Sequence, residues 1–183
     1  MKTASWILIT LPALTLLGAE AARHWPAPKA PVVSEADGYV EIPGAAHSPR
    51  KSLVYRAVWD ATRGADKPDQ LLPALNMAGS ELNALGVAGV PLKNAKFIIV
   101  FHGGSLDGIL DDAHYKAKFK ISNPNLKALV VLKKAGVELL VCGQNLVAEN
   151  INPKTLAPEV TVAADALLVL MEYQNKGYAL MSF

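Results

Sequence analysis

Cysteine is almost missing from this chain: Cys142 is the only one among 183 residues. No intramolecular disulfide can form, so stability must come from an ordinary core. A C-x-x-C redox pair is excluded, and so is a second thiol to resolve a mixed disulfide. An excess of either charge is missing too. The formal net charge is +2, which argues against a nucleic-acid partner. Neither G-x-G-x-x-G nor a Walker loop occurs, so no phosphate cradle or dinucleotide cofactor is implied. The run His102-Gly103-Gly104 looks like an oxyanion-hole glycine pair. No G-x-S-x-G elbow accompanies it, and the hydrolase reading fails.

Long apolar runs are also lacking, although apolar residues make up 51% of the chain. The run at residues 6–17 falls short of the about 20 residues that a membrane-spanning helix needs. Lys2 precedes it and Ala19-Glu20-Ala21 follows as an A-x-A cleavage pattern. Residues 1–21 therefore read as a secretory signal peptide cleaved near Ala21. The mature chain is expected in the periplasm or outside the cell, with no membrane segment. Lys2 and Glu20 leave together, so the charge stays at +2. Residues 22–50 carry Pro26, Pro28, Pro31 and Pro43 with little periodicity. They predict an extended, mobile or loosely docked arm. The folded domain is expected over residues 51–183.

Within that domain, SLVYRAVWD at residues 52–60 alternates and is rich in strand formers. Leu71, Leu75, Ala78, Leu82 and Leu85 recur at helical spacing, with Pro73 near the start and Gly86 as the stop. AKFIIVFHGG at 95–104 is a continuous apolar run closed by glycines, the pattern of a strand covered on both faces. Residues 105–119 predict a loop with a short helix. Asn123 is the expected N-cap of the next helix, Pro124 its first position and Gly136 its stop. VELLV at 137–141 predicts a strand ending at Cys142. Residues 145–158 are turn-rich. ADALLVLMEYQNKG predicts a buried helix stopped by Gly177, and YALMS a last strand. Strands alternating with helices indicate an α/β fold: a three-layer sandwich around a mainly parallel sheet of about five strands.

In open sheets of this kind, chemistry collects beyond the carboxyl ends of the strands. His102, Gly103 and Gly104 stand at one such end, and Cys142, Gly143, Gln144 and Asn145 at another. They form the expected pocket. A helical turn beginning near Gln144 would favour the Cys142 thiolate. Free cysteine is also among the most buried residue types, so a core position stands as the alternative. Gly103 and Gly104 would offer N–H groups to an anion. Asp111 and His114 have a metal-ligand spacing on a helix, and also the spacing of a solvated face. Lys116, Lys118 and Lys120 would favour anions if they ringed the pocket.

From about residue 52 to 183 the chain resembles the DsrE/DsrF-like family, which includes the YchN-like proteins. The resemblance rests on VFHGG, NPNLKALVVLKKAGVELLVCGQNL, INPKTLAPEV and ADALLVLMEYQNKGYALMSF, in that order and spacing. It implies a small α/β sandwich, homotrimers or hexamers, and, in the relay members, a persulfide on a cysteine near a strand end. Cys142 alone can take that role here. The Gly-Gln-Asn after it departs from the relay pattern, and an exported chain would not meet cytoplasmic partners.

Three readings follow. In the first, an exported sulfur carrier uses an exposed Cys142 to accept sulfane sulfur and pass it to a thiol-bearing protein. A fully buried Cys142 would sink it. The second is a non-catalytic oligomeric module that binds a small molecule or a partner. The third is a metal or haem site built from His102, His114 and Cys142, which requires their convergence on one point.

Overall fold

Short apolar runs build the centre of the fold. The computed structural model describes residues 25–182; the expected leader at 1–21 lies outside them. β1 (Tyr55–Ala61), β2 (Ala95–Phe101) and β3 (Glu138–Cys142) are buried along most of their length. With β4 (Thr161–Ala163) and β5 (Ala179–Ser182) they form one sheet in the order β4-β3-β2-β1-β5. Every pairing is parallel.

Alternation along each strand divides the side chains between two cores. Trp59, Phe97, Ile99, Phe101, Leu139 and Val141 enter the larger one. Val58, Ile98, Val100, Leu140 and Cys142 enter the smaller. Helices α1 (Pro73–Val87) and α3 (Leu126–Lys134) cover the larger core. The smaller is covered by α5 (Ala166–Asn175). Between these lie α2 (Asp112–Phe119) and α4 (Gly143–Ala148). This is the expected three-layer sandwich. Among the described residues no helix is long and apolar enough to cross a membrane.

The structure corrects several local expectations. β4 is not among the predicted strands: its β-branched run Val160-Thr161-Val162 is short, with Thr161 and Val162 exposed, and it pairs along β3. α1 passes through Gly86, and the chain turns instead at Gly89, where φ is +68°. α3 begins at Leu126 with Asn125 at its N-cap position, yet Asn123 Oδ1 accepts the Asn125 N–H at 2.9 Å, a cap-type bond just before the helix. The buried Asn123 amide also donates to the Gly108 and Leu110 carbonyls, and its Oδ1 accepts from the Asn125 side chain. Asn125 Oδ1 in turn accepts the Leu72 N–H at 2.7 Å. The two asparagines thus tie together the loops that follow β1 and β2.

The proline-rich arm is docked, not loose. Asn83 on α1 is fully buried and its side chain clamps the arm backbone. Oδ1 accepts the Val32 and Val33 N–H groups at 3.0 and 2.9 Å, and Nδ2 donates to the Val33 and Asp37 carbonyls. Two helix glycines let the arm approach. A Cβ at Gly79 would stand 2.5 Å from Ala36 Cβ, and one at Gly86 2.8 Å from Val32 Cγ2. Glu35 adds an ion pair to Lys127 on α3. Val33 and Ala36 therefore belong to the core, and the packed unit begins before residue 51.

Candidate functional site

Topology places the site. β3 leads into α4, whose Leu146 joins the larger core, while β4 leads into α5 on the opposite face. Two adjacent strands thus send the chain to opposite sides of the sheet, which is where open α/β sheets form their ligand crevice. Cys142 ends β3 at this point, with Ala163 of β4 as its register partner.

Cys142 keeps the strand alternation, so its side chain points beneath α5. It is 4% exposed. Its Sγ accepts a hydrogen bond from the Ala166 N–H at 3.3 Å, the first residue of α5. This corrects two expectations. The thiol is not open to solvent, and its helix terminus is that of α5 rather than α4, which Cys142 precedes without capping it through its side chain. Gly143 is required by close packing: a Cβ there would stand 2.8 Å from the Ala163 carbonyl oxygen. Gly143, Gln144, Val147, Val162 and Ala163 are among the residues lining a cleft of about 640 Å³ beside the buried thiol.

His102 continues β2 in an extended conformation, φ −160° and ψ 174°. The β2–β3 register ends with Phe101 opposite Val141. Strand alternation past this point puts His102 and Cys142 on the same face, but no hydrogen bond joins them: the thiol is bonded to the Ala166 N–H and the imidazole to Asp60. His102 Nε2 lies 2.5 Å from Asp60 Oδ1 near the end of β1. The pair is partly buried, with side chains 17% and 20% exposed. Asp60 is the residue that sequence reasoning missed. Its signal was a carboxylate ending an apolar strand, at the edge where such a fold does its chemistry.

The expected pocket residues therefore separate. His102 joins Asp60 and Cys142 on the α5 side. Gly103 and Gly104 line a second cleft of about 480 Å³ with Asp107, Lys118, Glu149 and Ile151. Asn145 ties α4 to the end of β2: its Oδ1 accepts the Gly103 N–H at 3.0 Å. That N–H is not left for an anion. Of the three lysines only Lys118 lines this cleft. Lys118 is paired with Asp107, Lys120 donates to the Ala117 carbonyl, and Lys116 is exposed.

Asp111 is the N-cap of α2 and accepts from the His114 N–H at 2.8 Å. Its carboxyl is held below the usual range, chiefly by that backbone hydrogen bond and by the His114 ring. The spacing of these residues is thus a capping spacing. Among the described residues no group of three or more His, Cys, Asp or Glu could hold a metal ion. The reading of a metal or haem site from His102, His114 and Cys142 is corrected accordingly, since His114 is engaged at the start of α2.

Comparison with known proteins meets this geometry at the level of the fold. The structure of a protein of unknown function, MTH1491 from Methanobacterium thermoautotrophicum, superposes with a TM-score of 0.52 at 16% identity. The match covers 70% of this chain and 99% of that one. No curated protein matches the chain. The model of the DsrE/DsrF-like family matches residues 61–183. That span begins at the last residue of β1 and takes in the other four strands, and by it this chain belongs to the DsrE/DsrF-like family.

Proposed function

We propose that this chain is an exported sulfur-relay protein in which Cys142 carries the sulfur and is held closed in the resting state. One observation carries the reading: three adjacent strands bring Asp60, His102 and Cys142 to one face at their carboxyl ends. Cys142 Sγ is bonded to the Ala166 N–H and the His102 ring to Asp60, so an imidazole would take the thiol proton only once α5 opens and the two side chains meet. The Ala166 N–H at the start of α5 would support the thiolate in the closed state.

The transfer needs no outside oxidant. The Cys142 thiolate attacks the outer sulfur of a donor persulfide, R–S–SH. The donor S–S bond breaks, R–S⁻ leaves, and Cys142–S–SH forms. An acceptor thiolate then attacks the outer sulfur, takes it as its own persulfide and returns the Cys142 thiolate. Burial removes the version of this scheme in which Cys142 stands permanently exposed. Access requires the first turn of α5 to part from β3. The short edge strand β4, which leads into α5, is the weakest anchor for that turn.

The rest of the proposal follows from surface and sequence. Residues 1–21 supply the export signal, so donor and acceptor thiols are those of the periplasm or exterior. α5 leaves Leu167, Leu168 and Met171 exposed, and a second copy of this chain covers them in a homotrimer or hexamer. A binding module that uses the 640 Å³ cleft is the second reading. The burial of Cys142 favours it.

Labelling separates the two. Iodoacetamide is expected to modify native Cys142 at least about tenfold more slowly than the denatured chain, through local opening. Glutathione persulfide is expected to add the roughly 32 Da of one sulfur atom to the native chain and nothing to Cys142→Ser. Labelling only at the rate of global unfolding, with no sulfur added, would leave the binding module.

A further inference from the structure

We propose that the amino end of the sheet is a docking surface for an anionic phospholipid membrane. This surface lies at the opposite end of the strands from Cys142 and is independent of the sulfur-relay reading. A net charge of +2 conceals two unlike ends. The segments that leave β1, β2 and β4 carry Asp66, Asp69, Asp107 and Asp165. The segments that enter β1 and β2 carry Arg50, Lys51 and Lys93, and the second residues of these strands are Arg56 and Lys96.

The fold gathers these cations and gives them no counter-charge. Arg56 and Lys96 are register partners on neighbouring strands, and like charges placed side by side destabilise a sheet. The Lys51 carbonyl accepts from Asn94 Nδ2 at 3.0 Å, which fastens Arg50 and Lys51 beside Lys93. Arg50, Lys51, Arg56, Lys93 and Lys96 are all exposed. Among the described residues none of them forms an ion pair. The carboxylates at this end are engaged elsewhere: Glu138 accepts from the Tyr173 hydroxyl, and Glu172 pairs with Lys176. Glu81 on α1 lines a pocket with Arg56 and makes no ion pair with it. Lys133 and Lys134 share this end but have a local reason, the negative terminus of α3.

The anion that fits these cations therefore lies outside the chain, and the side chains between them indicate its kind. Leu53 and Val54 follow Lys51 by two and three positions, and Leu92 precedes Lys93. All three are exposed. Apolar side chains set among Lys and Arg suit the boundary between headgroups and acyl chains. There the cations meet phosphate while leucine and valine enter the apolar layer. A nucleic-acid backbone would satisfy the cations and leave the three apolar side chains in water.

Flotation with lipid vesicles tests the surface, using the chain recovered after export. Vesicles containing phosphatidylglycerol should bind it, vesicles of phosphatidylcholine alone should not, and added sodium chloride should release it. Each Lys or Arg near an anionic leaflet is worth about fivefold in affinity. Arg50→Gln, Lys51→Gln, Lys93→Gln and Lys96→Gln together should therefore weaken binding to phosphatidylglycerol by at least about 10²-fold. The same loss of charge elsewhere, in Lys67→Gln, Lys116→Gln, Lys120→Gln and Lys154→Gln, should leave it within about threefold. Leu53→Ser with Leu92→Ser should weaken it by about tenfold. All of these side chains are exposed, and circular dichroism reads whether each variant keeps its fold. Equal losses in the two sets of glutamine variants would reduce the effect to net charge and overturn the surface. Binding that ignores lipid charge, or that is unchanged in the leucine variant, would overturn the membrane as partner. Tighter binding to polyglutamate than to the vesicles would also overturn it, in favour of an acidic protein.

Discussion

Replacing Asn83 with alanine is expected to lower the unfolding free energy by about 3 kcal/mol, an effect that belongs to a polar clamp rather than a cavity. Asn83 is fully buried and satisfies two N–H groups and two carbonyls of the arm. Each group left without a partner costs about 1–3 kcal/mol, reduced where the arm can lift into water. The midpoint in urea should fall. Trypsin should cut residues 25–50 at protein concentrations and times that leave the wild type whole. A variant of unchanged stability and unchanged protease resistance would show that the arm contributes little.

Glu35 gives the same docking a pH dependence. The Lys127 ammonium, bonded to its carboxylate, holds the Glu35 pKa below the ordinary value. A depressed carboxyl contributes stability above its unfolded pKa, about 4.3, and loses it as pH falls through the folded value. The arm should therefore loosen in acid below the usual carboxylate range, and Lys127→Met should reduce that acid response.

The second large effect is expected on α5. Changing both Leu167 and Leu168 to glutamate should convert the proposed oligomer to a monomer while the fold persists. Their side chains are 59% and 60% exposed in the single chain, so the substitution opens no cavity. In an assembly each buried leucine is worth about 1.5–3 kcal/mol, and a buried carboxylate without a partner costs more. Two such changes per copy should weaken association by at least about 10²-fold. Light scattering across a dilution series reads the mass, and far-ultraviolet circular dichroism reads the fold. A wild-type chain that scatters as a monomer throughout would remove the homo-oligomer from the proposal.

α5 shows where reading a sequence has its limit. Its run ALLVLMEYQN is apolar almost all round and predicts a buried helix. In the single chain only Ala166 and Leu170 are buried, because one helix on a flat sheet can hide only one stripe. The arm shows the opposite error. Prolines without periodicity suggest looseness, yet a partner fifty positions away supplies the hydrogen bonds that secondary structure does not. Asn123 does two jobs, of which local pattern shows one: its Oδ1 accepts the Asn125 N–H just before α3, while its amide bonds the Gly108 and Leu110 carbonyls of a distant loop.

The sequence by itself determined the layered α/β fold, the parallel core strands and the family. These follow from apolar runs, glycine stops and helical spacing, all of which are properties of neighbours in the chain. It also placed His102 and Cys142 at strand ends. Only the tertiary structure decided that Asp60 holds His102, that β4 completes the sheet, and that Cys142 lies under α5 instead of facing solvent. Each of these depends on strand order and register, which bring together residues from β1, β2, β3 and α5. Local pattern carries no record of which strands will be neighbours, or of which helix will close over a given strand end.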